Sequence, residues 1–144
     1  MIMSSMQNSE ELSQLRDKNK SAHKLIGFPK VLWINLDRFP DRKTYMENQF
    51  KHWNILDHYR ISGVDGEEYE EYLKGTVPDN MNKGECACVM SHLNAIKYFV
   101  EETDLDEIII MEDDVDLDTA KHWNFTYKEV RKKLPINFDC LQLT

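Results

Sequence analysis

With 144 residues and a hydrophobic fraction of 41%, the chain is long enough for one core-bearing domain and too short for two comfortable ones. Asp and Glu number 26 against 18 Lys and Arg, a formal net charge of -8 that excludes the concentrated positive field of a nucleic-acid-binding surface. An anionic ligand would therefore need local basic groups or a metal.

Residues 1–27 carry few large apolar side chains and no clear period, so a polar tail or loosely attached helix is expected there, with the domain proper over 28–144. This start lacks the apolar run of a signal peptide or membrane anchor, and no transmembrane segment is visible. Three cysteines, at 86, 88 and 140, cannot all pair within one chain, and Cys86 and Cys88 are too close for an ordinary bridge. Free thiols in a soluble, cytoplasmic protein follow as the expectation.

Val31, Leu32, Trp33, Ile34 and Leu36 form an apolar run interrupted only by Asn35, the pattern of a strand buried on both faces of a parallel sheet. Asp41 is the expected N-cap of a following helix that carries Met46, Phe50 and Trp53 on one side. A shorter strand, Tyr59 to Ser62, runs into Gly63-Val64-Asp65-Gly66, where two glycines allow a tight turn with the backbone close to a ligand. The acidic stretch beyond it, up to Lys74, reads as a solvated helix or loop.

Asn82 and Glu85 have capping-box spacing at the start of a longer helix, for which Cys86, Val89, Leu93, Ile96 and Val100 are the expected core face. A second stripe of Cys88, His92, Ala95 and Phe99 flanks it. Cys88 and His92 are one turn apart and could share a metal, but no further ligand is evident from the spacing, which argues against zinc. Ser91 has no evident partner for nucleophilic catalysis. A second buried strand is expected at Ile108 to Met111, then an acidic loop, a helix with Trp123, Tyr127, Val130 and Leu134 on one face, and a last strand from Cys140 to Leu143. Strands alternating with helices predict an α/β sandwich with a mostly parallel sheet, in which ligands bind at the carboxyl ends of the strands.

Glu112, Asp113 and Asp114 put three negative charges at one such strand end, where their repulsion calls for a cation or basic partners. Oxygen ligands of this kind suit Mg²⁺ or Mn²⁺ completed by nucleotide phosphates. The alternative is a charged loop capping a helix that begins near Thr119. An EF-hand register from Asp114 fails, because Thr119 stands where Gly is needed and Phe125 where Glu is needed. The Asp-x-Asp nucleophile motif of haloacid-dehalogenase-like phosphatases is a weaker match, since Glu112 and Asp113 intervene before Asp114. After the first strand, Asn35, Asp37, Arg38, Asp41 and Arg42 supply groups suited to ribose, base and phosphate contacts, although Arg and Asp pairs around turns are more often solvated ion pairs.

Taken in order, Ile34-Asn35-Leu36-Asp37-Arg38 with Asp41-Arg42, Gly63-Val64-Asp65-Gly66, Gly84-Glu85-Cys86-Ala87-Cys88 with Ser91-His92-Leu93, and Glu112-Asp113-Asp114-Val115 resemble the motifs of glycosyltransferase family 25, which includes lipooligosaccharide and collagen galactosyltransferases. The resemblance implies a GT-A (Rossmann-like) fold, a UDP-sugar donor, Mn²⁺, and transfer of a hexose, galactose or glucose, to a hydroxyl of a glycan or protein acceptor. It further implies Glu112 and Asp114 as metal ligands. Asn35, Asp37, Arg38, Arg42, Asp65, Gly66, Ser91, His92 and Asp113 are the implied donor-binding residues. Members generally continue well beyond the acidic motif, whereas 30 residues follow Asp114 here. The expectation is thus a donor-binding portion truncated at its C-terminal side, with no catalytic base identified and a non-catalytic binding module as the alternative. An acceptor carried on a membrane would make the protein peripheral to it.

Overall fold

The first strand, β1 (Val31–Asn35), is buried along its whole length, as expected of its apolar run, and its one polar residue, Asn35, is buried with it. The computed structural model describes residues 24–68 and 80–143 of the chain. The tail before residue 24 and the part of the acidic stretch from residue 69 onward lie outside them. No helix among the described residues is long and apolar enough to cross a membrane. Two compact units divide the described chain, one of residues 29–115 and the other of residues 24–28 with 116–143.

In the larger unit β1 is followed by α1 (Pro40–His52), β2 (His58–Ser62), α2 (Lys83–Glu102) and β3 (Ile109–Glu112). The strands form one parallel sheet in the order β2-β1-β3, with Val31 opposite both His58 and Ile109. The fold is therefore α/β, with a parallel sheet flanked by helices. Because all three strands run the same way, the loops after Asn35, Ser62 and Glu112 leave the sheet at one end.

Alternation along β1 divides its side chains between two layers. Trp33 meets Phe50 of α1 edge to face at 5.6 Å, while Leu32 and Ile34 pack with Ile61 of β2 and Ala95 of α2. β3 is less enclosed than expected. It spans Ile109–Glu112, one residue later than the Ile108 to Met111 run, and within it only Met111 is buried, because among the described residues β3 pairs with β1 alone.

Two local expectations change. The N-cap of α1 is Phe39, not Asp41, and its side chain makes no capping bond. Pro40 sits in the first turn, where its missing N–H costs nothing and its fixed φ suits a helix, so the helix begins ahead of Asp41. Asp41 instead lies within the first turn, favourably placed against the helix dipole.

In α2 the capping box forms as expected, with the Glu85 amide donating to Asn82 Oδ1 at 2.9 Å and the Asn82 amide to Glu85 Oε2 at 2.8 Å. The core face is different. Ala87, Ser91 and Ala95 are buried, whereas Val89, Leu93, Ile96 and Val100 are 48%, 57%, 47% and 69% exposed. The row of small side chains four apart lets the helix axis approach the sheet closely, and the bulk filling that layer comes from Leu32, Ile34 and Ile61. Apolar spacing alone selected the wrong one of two adjacent faces.

The smaller unit also departs from expectation. The single helix expected to carry Trp123, Tyr127, Val130 and Leu134 is replaced by a 3₁₀ helix at Leu117–His122 and a short α3 at Tyr127–Lys133. Thr126 and Glu129 form a capping box that starts α3 after Trp123, and Trp123 stacks on Phe125 at 5.1 Å instead. Residues 140–143 are exposed and form no strand. A strand needs a neighbour for its backbone groups, and these residues have none among the described ones.

Candidate functional site

Convergence of the three strand ends with the start of α2 creates an open pocket of about 180 Å³. Asn35, Arg38, Arg42, Gly66, Ser91, His92, Glu112 and Asp113 line it, together with Cys88. Asp37, Asp65 and Asp114 do not belong to its lining.

At the floor, Asn35 and Asp113 are both buried and face each other across the sheet. The Asn35 amide donates to Asp113 Oδ2 at 2.6 Å and to the Phe39 carbonyl at 3.2 Å, and its Oδ1 accepts from Arg60 Nε at 2.8 Å. Arg42 completes the charge balance of Asp113 with an ion pair of 3.0 Å to Oδ1. A buried carboxylate is tolerable only with such partners. The arrangement ties β1, β3 and the start of α1 together.

Arg60 was not a candidate from the sequence. It projects from β2 to bond the Asn35 carbonyl at 3.0 Å and the Asp37 carboxylate, to which Ser62 Oγ also donates at 2.9 Å. Those bonds, the Arg60 one first, hold the exposed Asp37 carboxyl below the usual aspartate range. An Arg inside a short strand signals a polar strand face, but its partners lie 23 and 25 residues away in sequence and only the parallel register joins them.

Arg38 pairs with buried Asp65 at 2.7 Å and with Glu67 at 2.8 Å. Both Arg38 and Arg42 lie over the Phe39 ring, at 4.9 and 5.1 Å. Asp65 Oδ1 also accepts from the Glu67 amide at 2.9 Å, closing the turn after β2. In that turn, a Cβ on Gly66 would stand 3.0 Å from the Lys83 carbonyl oxygen, so the first turn of α2 is what demands a glycine there.

Ser91 is buried, with its hydroxyl donating to the Ala87 carbonyl at 2.8 Å and accepting from the Val64 amide at 2.8 Å. It fastens the turn after β2 to α2. Ser91→Ala is expected to leave the Val64 amide unpaired and destabilise the unit by about 1–3 kcal/mol. Chemical denaturation reads this directly, and an unchanged midpoint would refute the fastening role.

The acidic triplet divides. Asp113 is taken up by Asn35 and Arg42, Asp114 is exposed, and Glu112 turns toward α2. Glu112 Oε1 lies 3.1 Å from His92 Nε2 and 3.8 Å from Cys88 Sγ. Burial pushes the Cys88 thiol up from its ordinary range, and the carboxylates of Glu112 and Asp114 add to the effect. Cys88, His92 and Glu112 form a group with metal-ligand chemistry and mutual distances within 4.8 Å, of which Asp114 is not a member. The third partner missing from the Cys88 and His92 pair in the sequence is supplied by β3. All three cysteines are free thiols.

The profile of glycosyltransferase family 25 (LPS biosynthesis protein) matches residues 28–143. A protein of Acanthamoeba polyphaga mimivirus named "Putative glycosyltransferase" is 28% identical over 92 residues, which is 60% of this chain and 28% of that protein. This chain thus spans under a third of that relative's length. No solved structure matches it. The family match runs across both strand-end loops, the capped helix α2 and the acidic triplet that together build the pocket, and the chain belongs to glycosyltransferase family 25.

Proposed function

We propose that this chain forms the donor-binding part of a glycosyltransferase that moves a hexose, galactose or glucose, from a UDP-sugar to a hydroxyl of a glycan or protein acceptor. The observation that carries this reading is the position of the pocket, at the carboxyl ends of parallel strands in a family 25 chain, with two arginines on one side and Glu112 on the other.

Arg38 and Arg42 are 43% and 52% exposed along their side chains, so each can keep its carboxylate partner and still offer N–H groups to a diphosphate. Asn35 and Asp113 hold Arg42 in place from beneath. Asp37, which is outside the pocket lining, stays ionised and would accept from ribose hydroxyls. Gly66 shapes the wall through backbone approach, Ser91 through its hydroxyl bonds to the Val64 amide and Ala87 carbonyl, and His92 lines the pocket from α2.

A divalent cation, Mn²⁺ in this reading, would be held by Glu112, with the exposed Asp114, two residues further along the chain, as the second carboxylate. Bound there, it would neutralise the diphosphate as the sugar leaves. An acceptor carried on a membrane surface would place the protein peripherally there, on the cytoplasmic side.

Calorimetric titration with UDP is expected to show binding that Mn²⁺ tightens by roughly tenfold or more, about 1.4 kcal/mol. Equal affinity with and without Mn²⁺ would remove the metal from the reading, and no binding in either case would remove the donor. UDP binding without turnover of any UDP-sugar would favour a non-catalytic binding module.

A further inference from the structure

Cys88 and His92, one turn apart on α2, project side by side. Glu112 approaches them from the end of β3, with its carboxylate 3.1 Å from the imidazole and 3.8 Å from the sulfur. One ligand atom from each residue lies within 4.8 Å of the other two. Metal bonds of about 2.0–2.3 Å to N, O and S put the corners of a tetrahedral site about 3.3–3.6 Å apart. Shifts of about 1 Å would bring the three atoms to that spacing.

We propose that Cys88, His92 and Glu112 form a binding site for a zinc-class divalent cation, with its remaining position facing the pocket. Charge supports this. Once bound, the Cys88 thiolate and the Glu112 carboxylate would sum to two negative charges, which a dication cancels. Thiolate and imidazole ligands favour Zn²⁺ and Co²⁺ over Mn²⁺ and Mg²⁺, which prefer oxygen. On binding, the Cys88 S–H bond breaks, its proton goes to solvent, and the sulfur lone pair forms the metal bond with no change of oxidation state. The two metal readings share Glu112, so a zinc-class ion here would occupy the ligand that the donor metal needs. The site itself requires no nucleotide.

Co²⁺ reports such a site through its thiolate-to-metal absorption in the near ultraviolet. Titration of the Cys86→Ser/Cys140→Ser protein, which keeps only Cys88, is expected to develop that band to one equivalent and lose it when Zn²⁺ is added. Adding Cys88→Ser should abolish the band. His92→Gln and Glu112→Gln should each weaken Co²⁺ affinity by at least the roughly 10- to 100-fold that loss of a supporting group costs. Circular dichroism of each variant establishes that it is folded.

No band in the Cys88-only protein, a band that survives Cys88→Ser, or unchanged affinity in folded His92→Gln would each overturn the proposal. Because the readout contains no nucleotide, its failure is separate from failure of the UDP titration.

Discussion

Replacing Asn35 by alanine is expected to destabilise the unit of residues 29–115 by about 2–4 kcal/mol. The side chain is fully engaged, donating to Asp113 and to the Phe39 carbonyl and accepting from Arg60. Alanine removes all three bonds and leaves the buried Asp113 carboxylate with Arg42 as its remaining side-chain partner among those described. Breaking one side of a buried polar network costs the desolvation of the group left behind, well above the net worth of a hydrogen bond between exposed partners. Asn35→Asp should be worse at neutral pH, since it sets a second carboxylate against the one that Asn35 now meets at 2.6 Å. Urea denaturation followed by tryptophan fluorescence measures both. A loss below about 1 kcal/mol for Asn35→Ala would show that water replaces the amide and that the network is not what joins β1 to β3.

Trp33→Ala is expected to cost about 3–5 kcal/mol, the range for truncating a large buried aromatic side chain. Trp33 sits in the central strand, is 1% exposed, and packs edge to face with Phe50 and His58. Its buried indole N–H has no hydrogen-bond partner among the described residues. Phenylalanine at this site would remove that unpaired donor while keeping most of the ring contact, so the penalty should fall to about half that of alanine or less. Equal destabilisation by the two substitutions, measured by the same denaturation, would mean that packing alone decides this position.

Legibility in the sequence followed the range of the interactions. β1 was evident from its short run of large apolar residues, Val31 to Ile34 and then Leu36, and the α2 capping box because its two partners are three residues apart. The gathering of three loops at one end of the sheet followed from strand polarity. By contrast, the core face of α2 was misread. Val89, Leu93, Ile96 and Val100 carry the stronger periodic signal, yet the sheet contact is made by Ala87, Ser91 and Ala95, whose small size is the reason the helix can approach. Hydropathy ranks side chains by transfer free energy, and close approach is decided by volume. The helix start at Phe39 was missed for a related reason: the fixed φ of Pro40 outweighed the capping preference of Asp41.

Within the site, the acidic triplet was visible as three adjacent negative charges whose strand-end position called for a cation or basic partners, with a helix-capping loop as the alternative. The division among the three was not visible. Parallel pairing of β1 with β3 sets Ile34 opposite Glu112, which brings the residues that follow them, Asn35 and Asp113, within hydrogen-bond reach. The adjoining Glu112 is turned to the other side of the pleat, toward His92 and Cys88. Sequence by itself determined the α/β pattern, the strand-end location of the pocket and the need to neutralise its charge, all of which depend on residues close in the chain. Tertiary structure decided which carboxylate is spent on the scaffold, which meets the thiol and imidazole, and that Arg60 belongs to the network. Those choices rest on strand register and helix approach across separations of 20 residues or more, for which local sequence holds no ruler.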